Sequence, residues 1–246
     1  MPDHFTDQLA PLPALTAAAM ATSTLRVGAL VWDNDYKHPV VFAKEMATLD
    51  VLSDGRLDLG IGAGWMITDY EQSGIPYDSA GTRIDKMIEG IDIMKGCFAQ
   101  GPFSYAGKHY TITNYNGMPK PVQGSCPPIL IGGGGKRVLT YAAKVADIVG
   151  INATMSAGAV GPEAISTMTA EAVDAKVDIV REASGDRIKD IEMNIRAFLV
   201  NVTDDAEGAI SRLAKGMGVE ESMVANTPFA LMGPPSKLIE DLPARR

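Results

Sequence analysis

Residues 128–138, PILIGGGGKRV, constrain this chain more than any other stretch. The apolar run Ile129, Leu130, Ile131 reads as a buried strand and stops at four successive glycines, Gly132, Gly133, Gly134 and Gly135. Lys136 and Arg137 follow, and then Val138, Leu139, Ala142, Ala143 and Ala146 fall on one helical face. A strand, a turn whose bare backbone lets another group come close, and a helix N-terminus are therefore expected in succession. Unpaired N–H groups at a helix start, with the helix dipole behind them, suit a phosphate, and two cations strengthen that match. Two named phosphate motifs fail. A P-loop needs a glycine five positions before Gly135, where Leu130 stands, and a hydroxyl where Arg137 stands; the dinucleotide pattern needs a glycine at Arg137 or Val138. A generic phosphate-binding strand–helix loop remains, with a Gly-rich turn packed against its own sheet as the structural alternative.

The rest of the chain repeats the same alternation. Residues 12–22 read as a helix, 25–32 as a strand, and His38-Pro39 opens a helix with proline in its first turn. In 56–61, Leu57, Leu59 and Ile61 alternate with Asp58 and Gly60, so the glycine face of that strand looks open. A loop region is expected to run from 62 to 81, followed by a long amphipathic helix through Phe98. Residues 101–124 break the rhythm and read as a small hairpin insertion. Strands at 146–151 and 191–202, and helices at 162–184, 204–216 (capped by Thr203 or Asp204) and 234–245, complete the reading.

Alternating strands and helices predict a parallel sheet covered by helices, and the glycine-rich strand ends suit a (β/α)₈ barrel, class α/β, in a single domain spanning 1–246. Such barrels carry their sites on the loops after the strands. His4, Asp33, Gly62, Ala63, Gly64, Trp65, residues 132–137 and Asn152 all occupy that class of position. Only five full strands and a stub at 1–4 are visible, so material is expected to be missing from the barrel at both ends.

Charge narrows the partners. With 22 basic and 30 acidic residues the net charge is −8 and no basic run occurs, which argues against nucleic acid or an anionic membrane surface. Cys97 and Cys126 make no metal-ligand spacing and fit a reducing cytoplasm. No stretch has the length of a membrane span.

At these loops the chain resembles the luciferase-like monooxygenase superfamily, and within it the F420-dependent oxidoreductases common in actinobacteria. The residues that carry the resemblance are PDHF at 2–5, LRVGALV at 25–31, HPVVFAKEMATLDVLSDGRLDLGIGAGW at 38–65 and PILIGGGGKRV at 128–138. The resemblance implies a barrel that binds coenzyme F420 or FMN at its C-terminal face, the cofactor phosphate held by Gly132–Gly135 with Lys136 and Arg137. It implies a bulge, often with a non-proline cis peptide, backing the deazaflavin ring near Ala29, Leu30 and Val31. His4 matches a histidine of the F420-dependent sugar-phosphate dehydrogenases. Two departures count against that substrate: Gln8 stands where those enzymes have tryptophan, and Trp65 where they have a glutamate acid. The family's first strand and helix and its last strand are also expected to be absent.

Hydride transfer between the deazaflavin and a small organic substrate follows as the expected activity, with His4 moving a proton and Trp65 walling the pocket. An FMN-dependent monooxygenase is the first alternative, and a catalytically inert cofactor-binding remnant is the second. Local roles compete at each position: a strand-end histidine at His4, turn or cap roles at Asp33 and Asn152, and helix entry at His38. His109 belongs to the hairpin and carries no chemistry. A homodimer is usual in the family.

Overall fold

The computed structural model describes residues 1–244, and along them helices and strands alternate as the periodicity predicts. Helix α1 (Pro11–Met20) is followed by strand β1 (Trp32–Asp33), helix α2 (Pro39–Leu52), strand β2 (Leu59–Gly62), and helices α3 (Ile67–Ser73) and α4 (Ala80–Phe98). The insertion is a hairpin, β3 (Phe103–Ala106) and β4 (Thr111–Tyr115); strand β5 (Ile129–Gly133), helix α5 (Lys136–Val145) and strand β6 (Ile148–Ile151) come next. Helices α6 (Pro162–Ser166) and α7 (Ala170–Ser184) lead to strands β7 (Glu192–Ile195) and β8 (Leu199–Val202). Helices α8 (Ala206–Met217) and α9 (Glu221–Asn226), strand β9 (Ala230–Gly233) and helix α10 (Pro235–Ala244) end the description. Arg245, on which the sequence reading ends its last helix, lies outside the described residues.

Strands β1, β2, β5, β6 and β7 pair in that order, all parallel, and β8 and β9 form a second parallel pair. This is the parallel α/β winding of the barrel type. Among the described residues the two sheets do not join into one hydrogen-bonded ring. The main core lies between sheet and helices, with Leu57, Leu59, Ile61, Ile131, Val149 and Leu139 almost wholly shielded from solvent. A smaller cluster of Ala214, Val224, Ala230 and Met232 holds the β8–β9 pair to its helices.

Several expectations need correction, each for a local reason. The strand at 25–32 shrinks to β1 plus a single bridge between Val27 and Leu57; the backbone bulges there, and Leu30–Val31 is cis, as the resemblance implies. That bulge fills the space beside the glycines of β2. A Cβ on Gly60 would lie 2.0 Å from the Ala29 carbonyl oxygen, and one on Gly62 would lie 2.6 Å from Val31 Cγ2. The N-terminal residues run along the bulge: Leu30 N–H donates to the Met1 carbonyl at 2.7 Å, and the Met1 ammonium donates to Gly28 O at 3.2 Å.

The strand at 191–202 divides between the two sheets, turning at Arg196, whose guanidinium stacks 4.2 Å over Phe198. Its second half pairs with β9, which the sequence reading does not place, since the short run between Pro228 and Pro234 shows no alternation. The helix at 162–184 breaks because the Thr169 hydroxyl accepts from Ala172 N–H and starts a new helix. Asp205, rather than Thr203 or Asp204, caps α8 by accepting from Gly208 N–H at 2.9 Å.

Candidate active site

Three of the four glycines have a packing reason, and the fourth has none. Strand β5 continues through Gly132 and Gly133. A Cβ would lie 3.1 Å from Val31 Cγ1 at Gly132, 2.5 Å from Val138 Cγ1 at Gly133, and 2.1 Å from the Ala153 carbonyl oxygen at Gly134. At Gly135 it would meet nothing within 4 Å. Among the described residues no group accepts from the N–H of Gly134, Gly135, Lys136 or Arg137. Packing thus explains the start of the loop, and its end presents open donors at a ten-residue helix N-terminus.

The two cations part company. The Arg137 guanidinium turns to α4, donating to Gly81 O at 3.1 Å and pairing with Asp85, while Lys136 is exposed. The strand-end segment after β6 buttresses the loop. Asn152 N–H donates to Gly133 O at 3.0 Å, and the Thr154 hydroxyl donates to Gly134 O at 2.9 Å. The Asn152 side chain takes a turn role, its Oδ1 accepting from Ala153 N–H at 2.9 Å. The buried ammonium of Lys176 pins this segment through the carbonyls of Asn152 (2.7 Å) and Thr167 (2.8 Å), and burial pushes its pKa down to about 8.

Beside it, after β2, lies a cluster that the sequence reading captures only in part. It expects a loop from 62 to 81, but 67–73 is helix α3, which delivers Asp69 and Tyr70. His4 Nδ1 lies 2.7 Å from Asp69 Oδ2, and the same oxygen accepts from the Tyr36 hydroxyl at 3.0 Å. Asp69 Oδ1 accepts from Phe5 N–H at 3.2 Å. Tyr70 donates to Asp33 Oδ2 at 2.9 Å, and Asp33 Oδ1 accepts from Asp35 N–H at 2.9 Å. Asp33 N–H in turn donates to Asp3 Oδ2 at 3.2 Å. Asp33 therefore spends its carboxylate as a cap and network residue.

The loop 62–65 closes over this network. Gly64 has φ +72°, and a Cβ there would lie 1.9 Å from the Tyr70 hydroxyl, so glycine is required on both grounds. The Trp65 ring meets His4 edge-on with centroids 5.4 Å apart. Tyr77 donates to Trp65 O at 3.1 Å, and Arg83 stacks 4.2 Å over Tyr77 while donating to Ala63 O at 3.3 Å. His38 stands outside this group. It enters α2, its Nδ1 accepting from Val40 N–H at 3.3 Å.

Burial pushes the Asp33 carboxyl up to about 7, against the lowering pull of the Asp35 N–H hydrogen bond and with a smaller push from the Asp35 charge. Asp3 and Asp35 are raised as well, again chiefly by burial. A folded pKa above the unfolded value of 3.8 means that the native state holds a proton the unfolded chain has released. The associated stability is fully present below about pH 4 and is lost as pH rises to about 7, on the order of 2–4 kcal/mol. Urea unfolding from pH 4 to 8 should show this decline, and Asp33→Asn should flatten it; an unchanged slope in the variant would place the effect elsewhere.

A family model for luciferase-like monooxygenases matches residues 1–234. The chain belongs to that family. This luciferase-like protein is 27% identical over 199 residues to an FMNH(2)-dependent dimethylsulfone monooxygenase of Pseudomonas putida, a match covering 81% of the chain and 50% of the relative. The chain thus spans about half the length of that curated relative. Its fold matches an F420-dependent secondary alcohol dehydrogenase in complex with an F420-acetone adduct, with TM-score 0.76 and 18% identity over 99% of this chain and 79% of that one. It also matches a coenzyme F420 dependent tetrahydromethanopterin reductase from Methanopyrus kandleri, with TM-score 0.75 and 20% identity over 98% and 80%. At those identities the two structures speak for the fold alone. No helix among the described residues of this luciferase-like chain is long and apolar enough to cross a membrane.

Proposed function

We propose that this luciferase-like protein is an F420-dependent oxidoreductase that moves a hydride between the deazaflavin and a small organic substrate. When bound, the cofactor supplies the hydride chemistry. The protein binds and orients the cofactor and handles the proton. The observation that carries the reading is the pairing of two features on neighbouring strands. Four unengaged amides follow β5, and a partly accessible histidine ring stands beside the loop that follows β2. The amides of Gly134, Gly135, Lys136 and Arg137 would hold the cofactor phosphate. The bulge at Ala29, Leu30 and Val31 would back the ring, and Trp65 would wall the substrate pocket. Hydride exchange at a carbon bearing oxygen also requires a proton to move at that oxygen, and His4 is the group offered for it.

The sequence relative named for FMNH(2) favours a second reading, an FMN-dependent monooxygenase. Separate fluorescence titrations of the full chain with F420 and with FMN decide between them. The proposal expects F420 to bind at least ~10-fold tighter, about 1.4 kcal/mol. A preference for FMN moves the protein to the second reading, and no binding of either leaves an inert remnant.

A further inference from the structure

Asp69 reaches the one histidine of the cluster, from a helix that the sequence reading leaves as loop. Its side chain is almost wholly buried, and its carboxylate faces three donors: Phe5 N–H, the Tyr36 hydroxyl and His4 Nδ1. The Tyr36 hydroxyl is held in its protonated form, since burial pushes its pKa up and the nearby carboxylates push it further. A carboxylate can only accept, so the proton between Asp69 and His4 belongs to Nδ1. In its neutral form a ring held this way has its free lone pair on Nε2. No described group hydrogen-bonds that nitrogen, and the His4 side chain keeps 19% of its surface accessible.

We propose that Asp69 is a positioning residue that fixes His4 in the Nδ1–H form, so that Nε2 is the nitrogen that exchanges a proton with the substrate oxygen. This rests on the oxidoreductase reading above and names the carboxylate that reading lacked, because Trp65 occupies the position where the sugar-phosphate enzymes carry an acid. In the oxidising direction the substrate O–H bond would break toward Nε2, while a bound oxidised deazaflavin would take the hydride released by the C–H bond. The substrate carbon and oxygen are left as a carbonyl. The imidazolium so formed faces the Asp69 carboxylate, which stabilises the new charge. The reverse direction returns both the hydride and the proton.

The test begins without any variant. The chain has three histidines, His4, His38 and His109, so nitrogen-15 NMR of histidine-labelled protein resolves each ring. His38 accepts at Nδ1 and is expected as the Nε2–H form, an internal contrast to His4 as Nδ1–H. Finding wild-type His4 as Nε2–H overturns the proposal.

In Asp69→Asn the backbone N–H of Phe5 still requires an acceptor, so the amide oxygen takes that side. The amide NH₂ then faces His4 Nδ1, and the ring shifts to Nε2–H. Turnover should fall ~10²- to 10⁴-fold with KM and cofactor affinity within about twofold. Asp69→Glu should restore the Nδ1–H form and part of kcat. An Asp69→Asn protein that keeps both the Nδ1–H form and its turnover overturns the assignment. If neither F420 nor FMN binds, the oxidoreductase reading fails by itself, while the ring forms of His4 in the two proteins still decide whether Asp69 sets the proton.

Discussion

His4→Gln should lower kcat by ~10³-fold in steady-state assays with the cofactor that binds, while leaving cofactor affinity within about twofold. Glutamine keeps much of the volume beside Trp65 and can still bond Asp69, so the fold is spared and proton transfer is lost. The size of the effect follows from what a positioned acid or base contributes, about 10²- to 10⁴-fold. Should the variant turn over within threefold of the parent, the histidine is a structural residue bonded to Asp69, and the chemistry needs another proton carrier.

The second large effect separates two neighbouring glycines. Gly134→Ala drives a Cβ to within 2.1 Å of the Ala153 carbonyl oxygen and 2.6 Å of the Asn152 carbonyl oxygen. Backbone must move, at a cost of about 2–3 kcal/mol, and the melting temperature should drop by about 5–10 °C. Gly135→Val meets open space and keeps an ordinary extended φ of −91°, so its melting temperature should stay within about 3 °C of the parent. Yet its side chain would stand among the unengaged amides. If a cofactor phosphate rests there, F420 affinity falls at least ~10-fold, about 1.4 kcal/mol. Full retention of binding in a stable Gly135→Val protein would leave the loop as a packing turn.

Much of the architecture was legible because it rests on long periodic signals. The helix ending at Phe98, the strand before Gly132 and the hairpin insertion are read directly from spacing. What failed was short or was settled by distant partners. Helix α3 has seven residues, too few for a face to declare itself, although Gly74 at its left-handed end was a usable stop signal. The bulge at 28–31 cannot be told from a strand by alternation, since its shape depends on glycines at 60, 62 and 132 that leave room for it.

The same limit applies to the candidate site. The glycine loop was visible as chemistry; the histidine at position 4 was visible as a loop position at the barrel mouth and matched a family histidine only through the resemblance. Asp69, Tyr36 and Tyr70 were invisible because contacts 33 to 65 residues apart in the chain bring them together. The Asp-Tyr pair one turn beyond Trp65 was the clue that could have been followed. Arg137 shows the converse, a cation well placed in the sequence and committed in space to another helix.

The 28–31 bulge meets the glycines of two strands with main chain and one branched side chain, Val31. Its contour can consequently be altered in one direction only. If the cofactor ring rests on the bulge as proposed, trimming Val31 would deepen its seat, whereas any side chain added at Gly60 or Gly62 would collide with the bulge itself. On that reading, selectivity for smaller molecules would be written into Trp65 and the loop leading to Tyr77.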